Sequence, residues 1–220
     1  MNNADSKSAI FARIRNAIGA ETAETAARDL LRKQEWPQIP RQYRRKGTLP
    51  AQERMALLQA ILKHYGATSY VAQNNHVSTV ISQVLKERQK NRLVVPQEFP
   101  REWIPSGIEA VSDTGLSNEA LDKIDGVLTG CTVAIASTGS IALVSGRDGR
   151  RAVTLVPDYQ LCVVRQGQIV EFLAEALEVL QPFRTLPLTF FSGPSATVDI
   201  EMTRVQGVHG PRTLDVVIAT

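Results

Sequence analysis

Two cysteines in 220 residues exclude a disulfide-built scaffold. They also exclude an all-cysteine iron–sulfur site, which takes four thiolates. Cys131 and Cys162 fall in strand-like apolar runs and read as small buried hydrophobes. Among these cysteines and His64, His76 and His209, no pair has C-x-x-C or H-x-x-x-H spacing, so no metal site is expected. Apolar runs are short, none nearing the ~20 residues of a membrane-spanning helix. The first residues, MNNADSKSAIFARIRNAIG, show no apolar core followed by a small-residue cleavage site, and a cytoplasmic location is the expectation. Aromatic residues make up only 5%; with no nucleic-acid motif and no basic stripe through the body, no nucleic-acid partner is expected. G-x-G-x-x-G, Walker and G-x-S-x-G patterns are absent, which removes dinucleotide, P-loop and nucleophile-elbow readings.

What remains is an ordinary soluble composition, 43% hydrophobic, long enough to bury roughly 70% of its unfolded surface. The net charge of +3 is uneven: residues 1–50 carry 10 Lys/Arg against 5 Asp/Glu, and residues 51–220 carry 15 against 17. Arg41, Arg44, Arg45 and Lys46 cluster in an N-terminal arm, as a solvated linker or as a contact for an acidic partner. Asp5 can cap a first helix with Ile10, Ile14, Ala17 and Ile18 on one face, stopped by Gly19. A second helical stretch, 21–33, has an alanine-rich face that buries little and suits docking on a neighbouring surface. Pro37, Pro40, Gly47 and Pro50 mark a linker. The expected division is an arm and basic linker over 1–47 and an α/β domain over 48–220.

In that domain, helices marked by Met55/Leu58/Leu62/Tyr65 and Val77/Val80/Ile81/Val84/Leu85 alternate with strands over 68–72, 92–95 and 108–111. A short helix over 120–124 follows. Such alternation predicts a mixed, mostly parallel sheet flanked by helices. Runs over 127–136, 140–144, 152–156 and 161–164 leave no room for helices between them, which predicts a hairpin-rich insert. Leu173, Leu177 and Leu180 mark one more helix, and strands over 188–191 and 214–219 frame the tail.

Three breaks carry polar chemistry. Thr138-Gly139-Ser140, after Ser137, reads either as a hairpin turn or as a loop whose hydroxyls meet an anion or carbonyl. Ser192-Gly193-Pro194-Ser195 hands a strand over to a segment in which Val198, Met202 and Val205 have helical spacing. Ser195 suits an N-cap, Thr197 and the free N–H groups suit an anionic or hydroxylated ligand, and Asp199 and Glu201 suit a base or hydrogen-bond acceptor. Gly207-Val208-His209-Gly210-Pro211-Arg212 offers a proton-transfer group in His209 and a carboxylate-binding one in Arg212.

At these residues the chain resembles the lactate-utilisation protein C family, a stand-alone form of the LUD domain. The motifs are Ala134-Ile135-Ala136 with Thr138-Gly139-Ser140, Leu155-Val156-Pro157, Ser192-Gly193-Pro194-Ser195 with Asp199-Ile200-Glu201, and Gly207-Val208-His209-Gly210-Pro211. The resemblance implies a fold like that of 5-formyltetrahydrofolate cyclo-ligase and the ribose-phosphate isomerase and CoA-transferase group. It implies a part in oxidising L-lactate to pyruvate beside an iron–sulfur subunit and a cysteine-rich subunit, with the present chain as the cluster-free member. Ser137 and Gln160 depart from the family, where an acidic residue and a histidine are usual. Two other functions stay open: a ligase- or transferase-type enzyme acting alone on a nucleotide, folate or CoA ligand, and a regulatory ligand-binding module. No cofactor is specified.

Overall fold

The computed structural model describes residues 3–18, 30–40, 42–197, 205–207 and 209–220. The chain divides into two compact units, Met1–Tyr43 and Arg44–Thr220. In the first, α1 (Asn3–Ile18) begins two residues before Asp5, which therefore lies inside the first turn rather than at the cap. Residues 30–35 are also helical. Ile10, Ile14, Leu30 and Leu31 are exposed.

The second unit is organised by a six-stranded sheet. Its strands are β1 (Thr68–Ala72), β2 (Arg92–Val95), β3 (Glu109–Ser112), β4 (Gly126–Thr129), β7 (Tyr159–Arg165) and β12 (Thr213–Ala219). They lie in the order β1-β12-β7-β4-β2-β3, every pair parallel. A parallel sheet is covered on both faces, so its central strands read as unbroken apolar runs. Alternate residues then serve opposite cores. Leu161, Val163, Val217 and Ala219 face α3 (Val77–Glu87), where Val77, Ile81, Val84 and Leu85 are all buried. Each such aliphatic side chain contributes about 1.5–3 kcal/mol on burial. Cys162, Val164, Val216 and Ile218 face the other way, onto Leu58 and Leu62 of α2 (Ala51–His64).

That second face also carries a four-stranded sheet, β8-β5-β6-β9, built from β5 (Val133–Ile135), β6 (Ser140–Val144), β8 (Ile169–Val170) and β9 (Leu188–Phe191). The β5–β6 and β6–β9 pairs are antiparallel, so this is the hairpin-rich insert. Its outer side packs on Ala176 and Leu180 of α5 (Leu173–Leu180), while α4 (Asn118–Asp122) covers Val94 and Val127 through Leu121.

Three further sequence expectations change. The apolar run 127–136 is two strands in different sheets, broken at Gly130–Thr132. Residues 152–156 form no strand: a 3-10 turn covers Arg151–Thr154, and its Val153 packs beside α4. The tail piece expected to be helical instead begins and ends in an antiparallel pair, β10 (Ala196–Thr197) with β11 (Val205–Gln206). Residues 198–204, with Asp199 and Glu201, lie outside the described residues.

One charged group is fully enclosed. Asp215, in β12, accepts from Arg88 Nε and Nη2, both at 2.8 Å, and from the Tyr159 hydroxyl at 2.9 Å. The carboxylate hydrogen bond raises the Arg88 pKa further, and burial followed by the Asp215 charge raises Tyr159. Removing one partner of a buried pair typically costs 3–5 kcal/mol. The Arg88 side chain is 37% exposed, so the lower end applies: Arg88→Ala should lower unfolding stability by about 3 kcal/mol in urea titration, and Tyr159→Phe by about 1 kcal/mol. A loss under about 1 kcal/mol for Arg88→Ala would show that water reaches the carboxylate and replaces the guanidinium.

A second pair contributes to acid sensitivity. Burial by itself would raise Asp113, but the hydrogen bond and charge of Arg150 and the N–H groups of Gly115 and Leu116 hold it below the usual value. A folded-state pKa below the unfolded one gives stability that is present at neutral pH and lost as pH falls through the carboxylate range. Arg150→Met should therefore flatten the fall in stability below about pH 4, measured by denaturant midpoints at successive pH values.

Candidate functional site

The polar breaks are linked in series by hydrogen bonds. Thr138 Oγ1 donates to Ser140 Oγ at 2.8 Å, and the Ser140 and Ser192 hydroxyls lie 2.7 Å apart. Both loops also press on the last turn of α2. A Cβ on Gly139 (φ +65°) would come 2.6 Å from Ile61 Cγ2, and one on Gly193 (φ +101°) 2.6 Å from Tyr65 Cβ. Left-handed backbone and lack of space together make glycine necessary at both positions.

Ser195 makes the next link. Its N–H donates to Pro211 O at 2.8 Å, its carbonyl accepts from Gly207 N–H at 2.9 Å, and its hydroxyl accepts from His209 N–H at 3.0 Å. Ser195 thus caps the 207–211 bend rather than a helix. Arg212 N–H donates to Asp158 O at 2.9 Å, which fastens the bend to the start of β7. The loops at 137–140, 192–195 and 207–212 consequently form one continuous surface.

They do not all line one hollow. A cavity of about 520 Å³ is bordered by Asp122, Leu155, Val156, Asp158, Gly207, His209, Gly210 and Arg212. The Thr138–Ser140–Ser192 hydroxyls lie outside it. Arg212 Nε stands 3.4 Å from Asp158 Oδ1, with the two side chains 64% and 61% exposed. An exposed pair of this kind is worth about 0–1 kcal/mol, so an incoming phosphate or carboxylate can take Asp158's place. His209 is exposed on a backbone pinned by Ser195. The side chain of Thr197 lies outside the description.

The two positions that depart from the resemblance play different parts. Ser137 is exposed, and its N–H donates to Glu171 O. Gln160 is buried and donates to Thr129 Oγ1 at 3.3 Å, bridging β7 and β4 away from the cavity. Both cysteines are buried and free of disulfide; the Cys162 hydrogen bond and then burial push the Cys131 thiol up. Among the described residues, no group of three or more His, Cys, Asp or Glu side chains could hold a metal ion, and no helix is long and apolar enough to cross a membrane.

The 207–212 cavity lies at the amino ends of β7 and β12, since Asp158 and Arg212 immediately precede those strands. Open parallel sheets more often bind ligands at their carboxyl ends. That edge holds another cavity, lined in part by Arg147, Asp148 and Arg165, none of which lies in the three polar breaks of the sequence. The available signal was Gly146-Arg147-Asp148-Gly149, a charged turn directly after an apolar strand.

Comparison with known proteins agrees with the motifs. The LUD domain profile matches residues 50–219. A protein of Deinococcus radiodurans named lactate utilization protein C is 47% identical over 131 residues, 58% of this chain and 62% of that protein. Lactate utilization protein C of Bacillus subtilis is 31% identical over 125 residues, 54% of this chain and 52% of that one. The match therefore spans less than two thirds of these curated relatives. The crystal structure of a DUF162 family protein from Deinococcus radiodurans superposes with a TM-score of 0.68 at 32% identity, covering 79% of this chain and 100% of that chain. Since the profile takes in the six-stranded sheet, the insert and both tail bends, this chain belongs to the LUD domain family.

Proposed function

We propose that this protein serves lactate utilisation as the cluster-free subunit of a system oxidising L-lactate to pyruvate, with an iron–sulfur subunit and a cysteine-rich subunit as partners. The names of the Deinococcus and Bacillus relatives support the metabolic role. Two buried cysteines fit a chain that leaves cluster binding to other subunits. Within this reading, the tail bends hold a small anionic or nucleotide-like ligand. The observation that carries it is the Ser195 junction, which fixes His209 and Arg212 together at one cavity. Arg212 supplies the anion contact and His209 an imidazole that can donate or accept a hydrogen bond. Asp199 and Glu201 are the nearby carboxylates in sequence for proton transfer or hydroxyl recognition.

Removal of the gene should abolish growth on L-lactate while leaving growth on pyruvate intact. Undiminished growth on lactate would reject the role. Complementation separates the site from the scaffold: Arg212→Ala and His209→Ala should fail to restore growth although the proteins accumulate. For the purified chain, Arg212→Ala should weaken ADP binding at least tenfold, about 1.4 kcal/mol, by calorimetry. Equal affinity would move any nucleotide away from the tail.

A further inference from the structure

The parallel sheet has a single place where its winding reverses. From β2 the chain passes outward to β3, returns to β4 on the other side of β2, and then continues to β7 and β12. The β2/β4 boundary is thus the switch point, where the loops leaving the strands diverge and open a crevice at the carboxyl edge. A cavity of about 170 Å³ occupies that crevice. Pro96 and Glu98 follow β2, Gly130 and Cys131 follow β4, and Arg165 ends β7; Trp103 supplies an aromatic wall.

The lining is built for a small polar anion. Arg165 lies 4.6 Å over the Trp103 ring and Arg147 5.6 Å over Phe183, while neither is in an ion pair with a described residue. A guanidinium stacked by its face keeps its N–H edge for a carboxylate. Opposite in charge are Glu98 and Asp148; Asp148 is 7% exposed, and its Oδ2 accepts from both Thr132 Oγ1 at 2.5 Å and Val144 N–H at 2.8 Å. Its Oδ1 takes no bond from a described residue and remains an acceptor held in place by the two bonds to Oδ2. Gly130 completes the cavity: a Cβ there would meet nothing within 4 Å. A cavity of about 150 Å³ accepts benzene, so this volume suits six or seven non-hydrogen atoms.

We propose that the switch-point cavity binds a small 2-hydroxycarboxylate, its carboxylate on Arg147 and Arg165 and its hydroxyl donating to Asp148 Oδ1. Two cations meet the carboxylate, and the oriented Asp148 oxygen distinguishes a hydroxy acid from a plain acid. The choice of a 2-hydroxycarboxylate rests on the lactate-utilisation reading above, but the site is separate from the 207–212 cavity and stands or falls independently of the tail ligand.

Calorimetry of the full chain with L-lactate, propionate and inorganic phosphate tests this. L-Lactate should bind saturably, and propionate, which lacks the hydroxyl, at least tenfold more weakly. Gly130→Leu, which fills the crevice without a left-handed backbone, should weaken lactate at least tenfold, as should Arg147→Gln and Arg165→Gln. Asp148→Asn keeps an oxygen for Thr132 and Val144 but replaces the free acceptor with an NH2 group, so it should erase the lactate-over-propionate preference. Arg92→Gln, in an exposed ion pair at the amino end of β2, should leave lactate affinity unchanged. Thermal melts identify any variant that fails to fold; if Arg165→Gln does, the exposed Arg147 and the Gly130 substitution decide. No lactate binding, binding indifferent to Gly130→Leu, or phosphate binding in place of lactate would each overturn the assignment.

Discussion

The enclosed carboxylate of Asp215 fixes the register of β12, and both edges of the sheet follow from that register. Its three donors come from the end of α3 and the first residue of β7. A shift of β12 by one residue would turn every side chain to the opposite face. It would point Asp215 into the Leu58–Leu62 core and break all three bonds. Bidentate geometry from Arg88 and a phenolic donor from Tyr159 are satisfied together in one alignment only. With Thr213 set against Tyr159, the preceding residue Arg212 is brought beside Asp158, and the 207–211 bend falls where Ser195 can cap it.

The two sheets divide the labour. The parallel sheet supplies rigid strand ends, and the small mixed sheet brings distant segments to those ends. At the amino edge, β9 delivers Ser192 to Ser140 on β6 through their antiparallel register, Ile141 against Phe191. At the carboxyl edge, the turn after β6 returns Asp148 to Thr132, beside the exit of β4. One strand of the insert, β6, therefore connects to both edges. Its first residue joins the tail hydroxyls, and its last, Val144, donates to Asp148. Anything that displaced β6 would disturb the hydroxyl chain at one edge and the switch-point cavity at the other.

Legibility in the sequence followed the breaks that bound each apolar run. Strands over 68–72, 92–95, 140–144 and 188–191 were placed at their observed limits because a Gly, Pro or polar break bounds each apolar run. The run 127–136 misled because Cys131 and Gly130 are apolar enough to hide a change of sheet. Ala152–Val156 has strand composition, but adjacent Arg150 is drawn to Asp113 and the chain tightens into a 3-10 turn. In the tail, Val205 has helical spacing in the sequence, whereas the backbone pairs it with Thr197. Pairing across a loop leaves no periodic trace in sequence.

The same distinction explains which candidate residues could be read. The tail site was visible because glycine, proline, hydroxyl and imidazole groups are concentrated within two short stretches. The switch-point residues are dispersed over 96–165, one or two per loop, and become neighbours only through the strand order. Arg165 alone looks like the polar end of a strand, and Asp148 alone like a turn acid. What gives Asp148 a different character is enclosure: burial raises its pKa, while Thr132, the Val144 N–H and Arg147 pull the other way. A carboxyl in that balance remains in the fold because Thr132 and Val144 require an acceptor there. The structural need for a turn and the chemical supply of an oriented oxygen are therefore met by one side chain.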